Sequence, residues 1–246
     1  MLELEDISKF KRVFCREFLM DKNEFENYIK NDFNDERFGL FLKRNNLNNK
    51  NLVFQEQKHT DHIKLIDKSF LKKRNIIPNN DALITMEKDL YLCAYTADCV
   101  PVTLFDPESE SVGIIHSGWK GTLNLIVQKT AKMMYESLKI NYPDLRCYLG
   151  SSIMNCCYEV SRAKDSRIKD FVNQFGRSVI KKDKEKIQLN LHEAIKIQLK
   201  RLGILEKNIK ISPNCTCCSK KHRFPSYYRE GKEYSRSILS IIGIKK

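Results

Sequence analysis

Residues 89–121, DLYLCAYTADCVPVTLFDPESESVGIIHSGWKG, decide the fold class. Three runs, 89–96, 100–105 and 111–116, are rich in β-branched and aromatic residues, and Asp106-Pro107-Glu108-Ser109 supplies turn chemistry between the last two. A β-meander is expected here. Upstream, residues 52–57 and 62–66 alternate like strands, and 12–18 is a further strand candidate. Downstream, Leu123, Ile126, Val127, Thr130, Ala131, Met134 and Leu138 recur at helix spacing, which predicts a helix with one buried face over 121–139. A second helix is expected over 191–202, stopped by Gly203, with strands at 146–149 and 209–212 and a short terminal helix at 235–242. Helical patches at 24–30 and 37–44 complete the reading. Strands come first and helices are appended later, so the class is α+β rather than a regular βαβ alternation.

The chain has 246 residues, 41% of them hydrophobic and 30% charged, enough apolar content to bury a real core, which excludes disorder as the main state. Nine glycines and six prolines are scattered without forming a linker, and no fixed-period repeat divides the sequence, so one compact unit is expected. The longest apolar stretch, 90–105, is interrupted by Asp98 and Pro101 and falls short of the roughly 20 residues of a membrane helix. Residues 1–10 carry Glu3, Glu5, Asp6 and Lys9 where a secretory peptide needs apolar residues, which sets the expectation of a cytoplasmic protein. Nine cysteines, an odd number, speak against a disulfide framework and for reduced thiols or metal thiolates, most of them buried as small hydrophobes. The net charge of +13 fits an anionic substrate or a compositional bias; the cations are dispersed, which speaks against nucleic acid.

Three places gather unusual residue types: Gln57-Lys58-His59 at a strand end, Thr96-Ala97-Asp98-Cys99-Val100-Pro101 inside an apolar run, and His116-Ser117-Gly118-Trp119-Lys120-Gly121 between a strand and a helix. An ionisable group in the middle of a buried strand is costly unless paired, so Asp98 and Cys99 require an explanation. A Gly-rich turn into a helix offers free N–H groups that suit phosphate. His59, Cys99 and His116 would make a three-ligand zinc site with an open position, the pattern of catalytic centres. Their separations match no contiguous metal motif, and a hydrogen-bonded core histidine, a buried thiol and a capping histidine account equally for the residues. Cys156-Cys157 with Cys215-Thr216-Cys217-Cys218 offers four thiolates, but vicinal and alternate spacings chelate a tetrahedral ion poorly, which favours idle thiols. The run Lys220 to Arg223 reads as a solvated loop. Ser226-Tyr227-Tyr228-Arg229 combines hydroxyls and a guanidinium suited to phosphate or ribose, or forms an ordinary surface strand.

At these same residues the sequence resembles a known family. TADCVPVTLFDP (96–107) and VGIIHSGWKGTL (112–123) are similar to the TADC-P-V and H-x-GW-[RK]-G signatures of the YfiH-type laccase-domain proteins, a family of zinc-dependent purine nucleoside phosphorylases. Gln57-Lys58-His59 matches its Q-V-H element, Asp81-Ala82-Leu83-Ile84-Thr85 its D-A-L-[VI]-T step, and LGSSIMNCCYEV (149–160) its LGP-x-IGPCCYEV segment. Leu189-Asn190-Leu191 stands for LDL, and Cys215-Thr216 and Ser226-Tyr227 follow the C-T and S-Y-R elements. The likeness covers 52–240, within one domain over 1–246.

The resemblance implies an α+β sandwich of mixed sheets with helices outside (α-β-β-α), and a metal held by His59, Cys99 and His116, which are also the catalytic residues. It implies Zn²⁺ as cofactor, with Cu²⁺ adventitious, and phosphorolysis of adenosine, inosine and 5′-methylthioadenosine with adenosine deamination as a further activity. Purine nucleosides and phosphate are then the partners, with no membrane and with monomer and homodimer both open. Gln57, Asp98, Trp119, Lys120, Tyr227 and Arg229 are the candidate substrate-binding residues. The departures are Lys58 for Val, Ser151 for Pro, Met154-Asn155 for Gly-Pro, and Tyr228 where Arg is usual, with Arg229 one place late; the family's glycine-rich N-terminal segment is not recognisable in residues 1–50, where Arg37 stands at the distance of an arginine that precedes Q-V-H. They fall around the phosphate and base rather than on the metal ligands.

Three other readings stand beside this one. A multicopper polyphenol oxidase needs more imidazoles than five histidines supply. A metal-free enzyme would use Cys99 as nucleophile with His59 or His116 as base, a hydrolase or deamidase, and the fold's resemblance to cytotoxic deamidase toxins supports that class. A non-catalytic RNA-binding module would be recognised by steep salt dependence.

Overall fold

A computed structural model describes residues 2–3, 10, 12–21, 36–71, 76–160, 166–183, 186–233 and 235–246; the helical patch expected at 24–30 lies outside them. In chain order the strands are β1 (Leu2–Glu3), β2 (Val13–Asp21), β3 (Leu52–Gln55), β4 (Ile63–Leu65), β5 (Ile76–Ile77), β6 (Ala82–Thr85), β7 (Tyr91–Thr96) and β8 (Val100–Asp106). They continue with β9 (Ser111–Ser117), β10 (Arg146–Leu149), β11 (Ile180–Asp183), β12 (Lys186–Leu189), β13 (Ile209–Ile211) and β14 (Arg236–Ile244). Two six-stranded sheets, ordered β1-β2-β14-β7-β3-β5 and β13-β10-β8-β9-β6-β4, make the body, and β11-β12 forms a separate hairpin.

Three apolar layers hold these sheets, as expected of an α-β-β-α sandwich. Between them, Cys15, Val53, Leu92 and Ala94 of the first sheet meet Leu83, Phe105, Val112 and Ile114 of the second. Helices Ile126–Leu138, Ser166–Phe175 and Leu191–Lys200 cover the second sheet's outer face through Ala131, Met134, Phe171, Ala194, Ile195 and Leu199. Helix Glu36–Arg44 covers the first sheet's outer face with Phe38, Phe41 and Leu42. Strands covered on both faces read as continuous apolar runs, so β7, β8 and β9 lack polar alternation.

Several sequence expectations are corrected. The three strands of residues 89–116 are not one meander: β8 and β9 pair antiparallel, but β7 pairs with β14 and β3 in the other sheet. Residues 97–99 are therefore a crossover between sheets, and Asp98 and Cys99 do not sit inside a strand. The terminal segment expected as a helix is the central strand β14, paired with β2 over nine residues and with β7 over six. Its Ile238, Leu239, Ile241, Ile242 and Ile244 are all fully buried, each worth about 1.5–3 kcal/mol of transfer free energy, and a helix would have buried one face only. A short apolar run cannot be assigned by periodicity, and β-branched enrichment was the correct signal. Gly243 is required there, since a Cβ would lie 2.7 Å from the Leu90 carbonyl oxygen and 2.4 Å from the Tyr91 ring.

The expected helix at 121–139 is two helices, Trp119–Leu123 and Ile126–Leu138, broken at Leu125 with φ 63°. The break separates the register of Ile126, Val127, Ala131 and Met134, set by the sheet, from that of the short helix, set by the end of β9. Helix Ser166–Phe175 was not anticipated. Among the described residues no helix is long and apolar enough to cross a membrane.

Candidate metal centre

Sheet pairing brings the three distant ligands together. β3 and β4 lie in different sheets, so the loop between them, like residues 97–99, crosses the sandwich. That loop carries His59, the other crossing carries Cys99, and β9 ends on His116. In the antiparallel register Pro101 pairs with His116 and Val100 with Ser117, which places Cys99 beside the end of β9. The potential ligand atoms of His59, Cys99 and His116 lie within 4.8 Å of one another. Cys99 Sγ is 3.8 Å from His59 Nε2, and the two imidazole rings meet edge to face at 4.7 Å.

Asp81, which sequence reasoning noted only as part of a motif, organises this constellation. It precedes β6, and the pairing of Ala82 with Ile115 sets it opposite His116. Its fully buried carboxylate receives the His116 Nδ1 proton at 2.7 Å, the Lys58, His59 and Thr60 backbone N–H groups at 3.2, 3.1 and 2.6 Å, and the Thr60 hydroxyl at 2.7 Å. Burial alone would raise the Asp81 pKa, but the hydrogen bonds from His116 and Thr60 hold it down at about 2. One carboxylate thus fixes the tautomer of one ligand and the loop of another. With Nδ1 engaged, Nε2 is the His116 nitrogen able to coordinate.

Backbone geometry at the ligands is constrained. His59 and Asp98 adopt positive φ, 58° and 86°, unusual for side-chain-bearing residues and found where structure over-determines a site. Gly118 follows β9, and a Cβ there would stand 2.8 Å from Cys99 Sγ and 3.0 Å from His59 Cδ2. Only glycine lets the backbone pass this close to two of the three side chains. Burial opposes a Cys99 thiolate, yet the imidazoles of His116 and His59 bring its pKa down to about 6. Burial equally opposes a His116 cation, which the Cys99 thiolate and Asp81 raise to about 9. Two imidazoles and an anionic sulfur are a three-donor set that fits Zn²⁺ with an exchangeable fourth position.

The other sequence candidates divide into two groups. Gln57 donates to the Tyr95 carbonyl oxygen at 2.7 Å and accepts the Tyr95 N–H at 2.9 Å, docking the His59 loop onto β7. Asp98 accepts the Thr216 hydroxyl and the Tyr228 N–H, both at 2.6 Å, so it anchors the C-terminal loops over the crossover. The Arg229 guanidinium donates to the carbonyl oxygens of Thr216, Cys217 and Phe224 at 2.8, 2.8 and 2.6 Å and pairs with Glu230. These three position the site's surroundings. Trp119 and Lys120 open the helix beside Gly118, with Lys120 Nζ 5.6 Å from the Trp119 ring. Arg167, unmarked by any sequence motif, stands 5.4 Å from the same ring, donates to the Tyr158 hydroxyl at 2.9 Å, and Tyr158 meets Tyr228 edge-on at 6.2 Å. Tyr227 is half exposed on the adjoining turn. Aromatic faces and two cations therefore gather around Trp119, one residue beyond Gly118.

The family model described as "Multi-copper polyphenol oxidoreductase laccase" matches residues 34–245. A purine nucleoside phosphorylase of Clostridium acetobutylicum is 32% identical over 243 residues, 91% of this chain and 99% of that protein. A purine nucleoside phosphorylase of Aquifex aeolicus is 34% identical over 187 residues, 76% of this chain and 80% of its own. Among solved structures, YlmD from Geobacillus stearothermophilus superposes with a TM-score of 0.78 at 26% identity, covering 88% of this chain and 82% of that one. The Bacillus licheniformis hypothetical protein YfiH gives 0.75 at 30% identity, covering 84% and 79%.

Proposed function

We propose, from the premise that this chain belongs to the multi-copper polyphenol oxidoreductase laccase family, that it is a metal-dependent purine nucleoside phosphorylase. Its substrates are adenosine, inosine and 5′-methylthioadenosine, with adenosine deamination as a side activity. The observation that carries this reading is the convergence of His59, Cys99 and His116 on one point, organised by Asp81. Two clustered imidazoles and one thiol do not amount to a blue-copper centre with a trinuclear cluster, so the oxidase chemistry in the family's description finds no counterpart in this ligand set.

His59, Cys99 and His116 would hold a zinc ion, which would supply a Lewis acid able to polarise phosphate or water. The chain's own residues do the rest. Lys120 and Arg167 present positive charge to phosphate, while Arg229 holds the C-terminal loops anchored on Asp98. Trp119, Tyr158 and Tyr228 offer faces on which a purine stacks. In phosphorolysis a phosphate oxygen forms a bond to the ribose anomeric carbon as the carbon–nitrogen bond breaks, and the purine leaves with the bonding electrons and gains a proton. Asp81 keeps His116 in one tautomer and orientation throughout.

The test is incubation with each nucleoside, with and without phosphate, alongside zinc quantification on the same preparation. Phosphate-dependent release of free base that disappears on chelation and returns with zinc is expected. The Cys99 thiolate beside His116 is also what a metal-free thiol hydrolase would present. Turnover that survives chelation and is lost to iodoacetamide establishes that reading and overturns this one.

A further inference from the structure

A second group of soft ligands lies away from the three-ligand centre. The sulfurs of Cys156, Cys157, Cys215 and Cys218 all lie within 4.8 Å of one another. Cys156 Sγ is 3.6 Å from Cys218 Sγ and 3.8 Å from Cys157 Sγ. A tetrahedral ion bound at a Zn–S distance of about 2.3 Å requires sulfur-to-sulfur edges of about 3.8 Å. These separations are those of a tetrathiolate cage.

The sequence expectation of idle thiols rested on the vicinal pair and the alternate spacing. The fold selects differently. Cys215 and Cys218 form a Cys-x-x-Cys knuckle, closed by the Ser219 N–H donating to the Cys215 carbonyl oxygen at 3.0 Å, and Cys217 stays outside the group. Cys156 and Cys157 sit on a turn in which the N–H groups of Cys157 and Tyr158 both donate to the Met154 carbonyl oxygen, at 3.0 and 2.9 Å. The two turns are joined by a bridge between Ser152 and Cys215 and by the Thr216 N–H on the Ser152 carbonyl oxygen at 3.0 Å. Backbone bonds therefore hold all four sulfurs on one point without help from their side chains.

We propose that Cys156, Cys157, Cys215 and Cys218 bind a second, structural Zn²⁺. Four thiolates leave no open position, which makes the site a staple rather than a reaction centre. Cys156 and Cys218 are exposed, giving the ion an entry path, and binding releases thiol protons to solvent. The net negative charge of such a cage is offset by the basic run Lys220-Lys221-His222-Arg223 that follows it. The staple joins the loop 150–160 to the segment 215–229, both of which hang on Asp98: the Ile153 N–H reaches its carbonyl oxygen, and Thr216 and Tyr228 reach its carboxylate. The second ion thus fixes the loops packed against the crossover that carries Cys99.

The experiment is metal counting on the full chain purified with reductant and excess zinc removed. Two zinc ions per chain are expected, falling to one in Cys218→Ser and in Cys156→Ser, with the remaining ion lost on adding His59→Ala. Cobalt loaded in place of zinc should give an intense thiolate charge-transfer band that His59→Ala largely keeps and that Cys218→Ser cuts to the weaker band of the single Cys99 thiolate. If the serine variants fail to fold, differential alkylation of the wild-type chain decides: zinc should protect Cys156, Cys157, Cys215 and Cys218, and chelation should expose them. A single zinc that His59→Ala removes, with those four cysteines alkylated as fast with metal as without, overturns the proposal. So does a Cys156–Cys218 disulfide in the zinc-saturated protein.

Discussion

Asp81→Asn is the most informative single change, because the isostere keeps the shape and removes the charge. The wild-type carboxylate accepts five hydrogen bonds from two sides, three N–H groups and a hydroxyl from the His59 loop and Nδ1 of His116. An asparagine amide cannot satisfy both. If its oxygen faces Thr60, its NH₂ faces His116 and stabilises the tautomer protonated on Nε2, the nitrogen needed for metal. If the oxygen faces His116, the NH₂ confronts the Thr60 donors at a fully buried position. Stability follows from linkage: the native Asp81 pKa lies below its ordinary 3.8, at about 2, so its contribution is full above pH 3.8 and is lost as pH falls through 2. At about 1.4 kcal/mol per pH unit this is about 2–3 kcal/mol, to which an unsatisfied buried donor adds about 1–3 kcal/mol. Metal affinity should fall about 10- to 100-fold, the usual cost of losing a ligand's orienting partner. Urea unfolding of the metal-free proteins at pH 7 and zinc titration against a chromophoric chelator measure the two effects. Wild-type zinc affinity together with unchanged stability in Asp81→Asn would refute the role given to this carboxylate.

Four further outcomes are expected. His59→Ala and His116→Ala should abolish both phosphorolysis and deamination while the circular dichroism spectrum stays native; turnover in either variant without metal would contradict the mechanism. Gly118→Ala drives a methyl to 2.8 Å from Cys99 Sγ, so it should lose zinc at the three-ligand centre with little change in fold, read by metal content and melting temperature. In metal-free protein the Cys99 thiolate is held down at about 6 by the neighbouring imidazoles, so alkylation followed by peptide mapping should be half-maximal near pH 6, falling below it; a midpoint near the ordinary 9.0 would contradict the ion pair. Arg229→Ala removes donors to the carbonyl oxygens of Thr216, Cys217 and Phe224, in the loops anchored on Asp98, so KM for nucleoside should rise while zinc at the three-ligand centre stays bound, and an unchanged KM would return Arg229 to a surface role.

The amino-acid sequence determined the class of the fold and singled out the three candidate ligands. Apolar, β-branched runs at 100–105 and 111–116 specify strands buried on both faces, and helix-period residues from Ile126 to Leu138 specify the layer over them. His59, Cys99 and His116 stand out because polar chemistry in apolar surroundings is costly unless it has a purpose. What the sequence leaves open is which sheet each strand joins, because pairing is decided by contacts between residues far apart in the chain. Only the tertiary structure turns β7 and β8 into members of opposite sheets, makes 236–244 the central strand of one of them, and puts two crossovers at the same end of the sandwich as His116. The same limit hid the role of Asp81, whose partners are 21 to 35 residues away, and made the four clustered thiols, noticed in the sequence, read as poor chelators, since Cys156 and Cys218 are 62 residues apart. Spacing along the chain reports local geometry, whereas a carboxylate serving two loops or a cage closed by two turns exists only once backbone hydrogen bonds have fixed those loops against each other.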